Sequence, residues 1–191
     1  MTEIGYLVGS LSQASINRRL AMALCRVAPA GVVLRELRID DLPLYNPDHD
    51  GSFAPAARRL KDDLASVDAV VVLTPEYNRS LPPVLKNAVD YASRPWGENT
   101  WQDRPVAIAG VGLNGAGTAV AQAHLRAVLG ACGAHVLGGP ELCLAWTDDL
   151  VDDDGCPAPA AAPRLRAFLD AVVAHAERHG AVPSGAWPLS S

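Results

Sequence analysis

The chain reads as an open, doubly wound α/β sheet. Three observations predict it. Short apolar runs of strand length recur along the sequence, a segment with helical spacing follows each of them, and Gly, Pro or Ser stands at most of the junctions. Strand and helix alternate five times. Parallel strands need crossovers and crossovers are right-handed, so helices cover both faces of the sheet. The 191 residues suit one domain with a substantial core, and 49% hydrophobic against 19% charged residues excludes a disordered chain.

Glu3 to Gly9 is a short apolar run ending in Gly-Ser, the mark of a strand buried on both faces. Ser15 to Val27 sets Ile16, Leu20, Ala23, Leu24 and Val27 at helical spacing behind Ser15, a natural N-cap. Val32 to Ile39 alternates and is the second strand, and residues 40 to 54, with Pro43, Pro47, Asp48, Asp50 and Gly51, have loop chemistry. Ala56 to Val67 is the second helix, and Asp68 to Thr74 the clearest buried strand. Pro82 to Tyr91 reads as a helix with proline in its first turn. Residues 93 to 104 hold Pro95, Trp96, Gly97 and Trp101, an irregular loop. Pro105 to Gly112 is the fourth strand, a glycine-rich turn follows, and Thr118 to Leu129 is the fourth helix. His135 to Leu137 is a short fifth strand, residues 147 to 163 an acidic and then Ala- and Pro-rich surface loop, and Pro163 to His179 a final amphipathic helix. The domain is expected to span 1–179, with 180–191 a poorly ordered tail.

Lys and Arg total 16 against 21 Asp and Glu, and a net charge of -5 argues against a nucleic-acid partner. No apolar run is long enough to span a bilayer, and the N-terminus lacks the layout of a secretory signal. Cys25, Cys132, Cys143 and Cys156 are isolated and read as reduced thiols, so a cytoplasmic protein is expected. His175 and His179 have metal-capable spacing on an expected exposed helix end, but no third ligand accompanies them. The run Asp152 to Gly155 resembles half a calcium loop, with Leu150 at the first ligand position and no closing Glu. No metal is expected.

Ligands of open α/β sheets sit at the carboxyl ends of the strands, near the switch in strand order. The segments to inspect therefore follow Gly9, Leu73 and Ala109. The first, Gly9 to Asn17, joins a strand to a helix start and holds three serines and an asparagine. Backbone N–H groups and short hydroxyls there make an anion site; the same pattern also serves an ordinary capped helix. It is neither a Walker loop nor a dinucleotide fingerprint. The second segment runs from Thr74 through Pro-Glu-Tyr-Asn into a helix. Pro75 fixes one φ angle, Asn78 can bond its own backbone, and Tyr77 offers either an aromatic wall or a core contact.

Together these segments resemble the NADPH-dependent FMN reductase family, a flavodoxin-like group that includes chromate, quinone and azo reductases. The family pattern after the first strand is Gly-Ser-Leu-Arg, two residues, Ser, one residue, Asn; Gly9, Ser10, Leu11, Ser15 and Asn17 match it. After the third strand Pro75, Glu76, Tyr77, Asn78, Ser80, Pro82, Leu85, Lys86, Asn87, Ala88 and Asp90 match. The resemblance implies a five-stranded parallel sheet in the order 2-1-3-4-5. It implies FMN as cofactor, NADPH or NADH as reductant, and a small-molecule electron acceptor such as a flavin or quinone. Ser10, Ser12, Ser15, Ile16 and Asn17 would then surround the FMN phosphate, and Pro75, Glu76, Tyr77 and Asn78 would line the ring. The turn with Gly110, Gly112, Leu113 and Gly115 would pass under the flavin. Tyr77 and Arg79 would meet the substrate, Arg79 at the NADPH phosphates or else as a solvated loop residue.

With the chemistry borne by the flavin, no catalytic side chain is required. A homodimer or homotetramer is implied, with the third helix and the loop carrying Trp96 and Trp101 as interface candidates. Two departures stand out. Ser12 replaces the family arginine, with Arg18 and Arg19 the nearest cations, and Pro83 replaces a frequent glycine. An electron carrier without an NADPH site and a flavin-free binding protein are the alternative functions on this fold.

Overall fold

The computed structural model describes residues 1–180, so all but the first residue of the expected tail lies outside the described residues. The strands are β1 (Thr2–Val8), β2 (Val32–Glu36), β3 (Ala69–Leu73), β4 (Pro105–Gly112), β5 (His135–Val136) and β6 (Leu142–Ala145). The helices are α1 (Ile16–Arg26), α2 (Pro55–Ser66), α3 (Pro83–Ala92), α4 (Ala119–Ala131) and α5 (Ala162–His179). The sheet is parallel throughout in the order β2-β1-β3-β4-β5, as the family resemblance implies, with β6 also paired to β4.

β3 shows why the sheet is covered on both faces. All five of its residues are buried, and they alternate between two cores. Ala69, Val71 and Leu73 face α1 and α5, where they meet Leu20, Leu24, Phe168 and Val172. Val70 and Val72 face α2, α3 and α4, where they meet Leu64, Val89 and Leu125. Each fully buried aliphatic side chain contributes about 1.5–3 kcal/mol, so the two layers together fix the strand register and hence the rim above it.

The fifth position of the sheet departs from expectation. It is filled twice: His135 and Val136 pair with Pro105 and Val106, and Leu142 to Ala145 pair with Ala109 to Gly112. Gly138, Gly139 and Pro140 lie between them. Proline cannot donate to a ladder and glycine weakens one, so the edge strand breaks there and resumes as β6.

Three further corrections concern burial. Trp101 is fully buried and its indole N–H donates to the Val89 carbonyl at 3.2 Å, so it anchors the 93–104 loop in the core and is no interface residue. Trp96 remains 73% exposed. Val151, in the acidic loop, is also fully buried and bridges to Pro157. His175 is buried rather than exposed, with its Nε2 hydrogen-bonded to the His135 carbonyl at 2.7 Å.

Candidate active site

The carboxyl ends of β1, β3 and β4 lie side by side. Gly9 N–H donates to the Leu73 carbonyl at 2.8 Å, and Thr74 N–H donates to the Ala109 carbonyl at 2.9 Å. The loops after Gly9, Leu73 and Ala109 therefore share one rim, at the place where the chain leaves β1 on one side and β3 on the other.

On this rim, α1 presents a free N-terminus. Ser15 is its N-cap, and the Ser15 Oγ accepts from the Arg18 amide at 3.2 Å. The amides of Ile16 and Asn17 precede any intrahelical acceptor, and they find none elsewhere in the described backbone. Ser10 and Ser15 are buried beside them, and Ser10 makes no hydrogen bond to the described residues. Ser12 is exposed. The Asn17 side chain is spent otherwise: its Nδ2 donates to the Val111 carbonyl at 2.9 Å and its Oδ1 accepts from the Val111 amide at 3.0 Å. It pins α1 to β4, which leaves Asn17 only its backbone N–H for a ligand.

The helices after β3 and β4 offer no comparable site. α3 starts at Pro82-Pro83, and Pro83 has no N–H to give, so only the Val84 amide is left free there. α4 has no cap from its own Thr118; instead Glu76 Oε2 accepts from the amides of Val120 at 3.0 Å and Ala121 at 3.3 Å. A carboxylate at a helix N-terminus is favourable both as cap and as counter-charge. Glu76 thus faces α4, not the open rim, and its side chain is only 8% exposed.

After Glu76 the chain makes a tight turn. Tyr77 and Ser80 exchange both backbone hydrogen bonds at 3.0 Å. Asn78 at φ 50° and Arg79 at φ 61° lie between them. Two positive φ angles in succession are the signature of a mirror-image hairpin turn. Asn tolerates this region, whereas for Arg it costs about 1–2 kcal/mol. The turn projects Tyr77, 45% exposed, and Arg79, which is ion-paired to Glu76 at 3.5 Å.

The third loop is the glycine turn from Gly110 to Gly117. A Cβ on Gly110 would overlap the Thr74 carbonyl and the Thr118 hydroxyl, and one on Gly112 would sit 2.5 Å from the Gly117 carbonyl. Glycine is required at both places by close packing within the protein. Gly115 faces open space, and Leu113 is 84% exposed. Cys143 of β6 stitches the turn from below, accepting the Thr118 amide at 3.1 Å and donating to the Ala116 carbonyl at 3.2 Å.

The resulting surface has two parts. One is an anion site of free amides and hydroxyls on α1. The other is a set of exposed apolar side chains, Leu11, Tyr77 and Leu113, on the three rim loops. An amphipathic phosphorylated ring fits that division of chemistry. Among the described residues no free cation near α1 replaces the missing arginine. Arg18 is held by both Glu36 oxygens at 2.8 Å, and Arg19 bonds the Val151 carbonyl and lies over the Trp146 ring.

Sequence reasoning missed the clamps. Asn87 reaches across to the 43–45 loop, accepting from the Tyr45 amide and donating to the Pro43 carbonyl, both at 2.8 Å. Ser80 is tied to His124 of α4. These partners are more than 40 residues apart in the chain, and no local pattern marks them.

Comparison with known proteins gives the same picture. The chain is 42% identical over 153 residues to 2-hydroxy-1,4-benzoquinone reductase of a Burkholderia species, covering 80% of this chain and 84% of that protein. It is 38% identical over 168 residues to quinone reductase of Pseudomonas putida, covering 87% and 90%. The solved structure of FerB, a flavoenzyme NAD(P)H:(acceptor) oxidoreductase from Paracoccus denitrificans, superposes with a TM-score of 0.90 at 37% identity, covering 94% of this chain and 99% of that one. The model of the family described as NADPH-dependent FMN reductase matches residues 2–147, and the chain belongs to that family.

Proposed function

We propose that this chain is an FMN-dependent NAD(P)H oxidoreductase whose preferred acceptors are quinones, with the cofactor held on the rim formed by the β1, β3 and β4 loops. The observation that carries the reading is the α1 N-terminus. It keeps the amides of Ile16 and Asn17 unpartnered beside buried Ser10 and Ser15, while Glu76 occupies the equivalent amides on α4 and Pro83 leaves α3 only the Val84 amide. The phosphate therefore belongs on α1.

In this reading Ser10, Ser12 and Ser15 donate hydroxyls to the phosphate, and Ile16 and Asn17 donate amides. Pro75, Tyr77 and Asn78 bound one edge of the ring, with Glu76 acting through its backbone. Gly110, Gly112, Leu113 and Gly115 pass beneath it. When bound, FMN supplies hydride acceptance from the nicotinamide and onward electron transfer. The protein excludes water from the ring with Leu11, Tyr77 and Leu113, and stabilises negative charge with backbone dipoles. Arg79, 71% exposed at the tip of its turn, is placed to meet the phosphates of NADPH.

The relatives' printed activities support the acceptor class, since two of them are named for quinone reduction. The reading extends to a homodimer that buries exposed Trp96 and the outer face of α3, and to a cytoplasmic location consistent with four free thiols. Among the described residues no helix is long and apolar enough to cross a membrane.

The test is direct. The purified protein, loaded with FMN and desalted, should retain flavin absorbance and oxidise NADPH or NADH in steady state with a benzoquinone acceptor. Retained flavin without turnover would make it an electron carrier. Loss of all flavin at micromolar concentrations would overturn the assignment.

A further inference from the structure

We infer that His124 is a positioning residue for the Tyr77–Ser80 turn, acting through Ser80. The inference deepens the FMN reading above and rests on it for its functional consequence.

The turn has two consecutive left-handed residues, Asn78 and Arg79, neither of them glycine. Such a conformation persists only where neighbouring structure over-determines it. Its own backbone supplies two hydrogen bonds, between Tyr77 and Ser80. Outside itself the turn touches α4 at both ends. At its entry, Glu76 receives the Val120 and Ala121 amides, and at its exit Ser80 Oγ and His124 Nδ1 share a hydrogen bond of 3.0 Å. Val120 and His124 are four residues apart, so both attachments fall along one face of the first two turns of α4.

This arrangement ties the turn to the element that also carries the glycine loop. α4 begins immediately after Gly117 and Thr118, and Cys143 fixes that junction to β6. Gln122 bonds the Thr118 hydroxyl and the Leu142 carbonyl, both at 3.0 Å, and holds the same helix against the sheet edge. The loops on two sides of the ring site therefore share α4 as a common mount. The Glu76 link holds the turn at its entry, and Leu81, packed against the core, follows its exit. The Ser80–His124 link adds a further fixed point on α4 and sets where Tyr77 points. His124 is exposed, so burial gives no other account of its contact with Ser80.

The experiment uses the full chain and the variants His124→Ala, His124→Asn, Ser80→Ala and the double variant Ser80→Ala/His124→Ala. Amide hydrogen exchange on the apo protein reports the turn without any cofactor. Opening at Tyr77 and Ser80 should become about 3–10-fold more frequent in His124→Ala, the loss expected for one hydrogen bond. His124→Asn, which keeps a polar atom near the Nδ1 position, should restore most of the protection. Dissociation constants for FMN, read from flavin fluorescence, should rise about 3–10-fold in each single alanine variant. The double variant should be no worse than either single one, because both remove the same bond. Unchanged exchange at Tyr77 and Ser80 in His124→Ala overturns the inference, as does additivity in the double variant or a His124→Asn protein as impaired as His124→Ala. Wild-type protein that binds no FMN while its exchange follows the expected pattern overturns the FMN reading and leaves the positioning role intact.

Discussion

Asn17 of α1 and Val111 of β4 are joined by two reciprocal hydrogen bonds: the side-chain amide gives one to the Val111 carbonyl and takes one from its N–H, at 2.9 and 3.0 Å. Both residues are buried, Asn17 to 1% exposure. The pairing lashes α1 to the strand that feeds the glycine turn. Replacing Asn17 by Ala leaves two buried backbone groups without partners, and each such group costs about 1–3 kcal/mol. Asn17→Ala is expected to lose at least about 2 kcal/mol, read as a drop in denaturation midpoint at constant m-value. A change within about 0.5 kcal/mol would mean that water or local movement rescues Val111.

Ser12 is exposed beside the free amides of α1, and neither Arg18 nor Arg19 is available to them. Arg18 is committed to Glu36, and Arg19 to Val151 and the Trp146 face. An arginine at position 12 would add a charge-assisted hydrogen bond, worth about 1.5–3 kcal/mol. Ser12→Arg should therefore tighten FMN by roughly 10- to 100-fold in a fluorescence titration, with the gain shrinking as salt is raised. Unaltered or weaker binding would remove position 12 from the phosphate site.

The sheet was legible because its strands are nearly pure apolar runs and its helices keep a regular stripe. β3 and β4 need no long-range information to be recognised. The split of the edge into β5 and β6 was not, since a two-residue strand before Gly-Gly-Pro carries no periodicity. The rim was legible as a set of loops, but the roles of single polar residues were not. Asn17 and Glu76 sit inside ligand-like motifs, yet their side chains reach partners 94 and 44 residues away. Sequence spacing marks where a polar residue stands on an element, and the crossing of elements decides what it touches. The signature therefore holds structural clamps, and only the geometry reveals them.

Away from the rim, three imidazoles meet at the far end of the sheet. His179 of α5 stacks on His135 of β5 with ring centroids 4.3 Å apart, and meets His175 at 4.6 Å. Lost hydration lowers the His179 pKa below 6.5, and His135, His175 and Arg178 lower it further. Asp103, from the loop before β4, lies 3.5 Å from His135 and is the nearby opposite charge. A depressed histidine pKa means that folding favours the neutral ring. The contribution is complete above the unfolded value of about 6.5 and is lost as pH falls through the folded value. Thermal midpoints measured from about pH 8 down to about pH 5 should fall more steeply for wild type than for His179→Gln. Parallel curves would show that the cluster has no part in acid destabilisation.

The glycine turn allows two substitutions of the same size to be set against each other. A methyl on Gly110 would meet the Thr74 carbonyl, whose residue is fixed in the sheet by its own amide's bond to the Ala109 carbonyl, and the Thr118 hydroxyl, which is bonded to Gln122. A methyl on Gly115 would meet nothing within 4 Å among the described residues beyond its chain neighbours. Gly110→Ala should cost about 1–3 kcal/mol or more through overpacking where β3, β4 and α4 converge. Gly115→Ala should stay within about 0.5 kcal/mol of wild type. Their effects on FMN then separate packing from contact. If the turn passes beneath the ring, Gly115→Ala weakens FMN binding severalfold in a protein of unchanged thermal midpoint, because the added methyl occupies space that only the cofactor fills. If FMN binds Gly115→Ala as tightly as wild type, the ring lies elsewhere on the rim and the assignment of Gly115 to it is wrong.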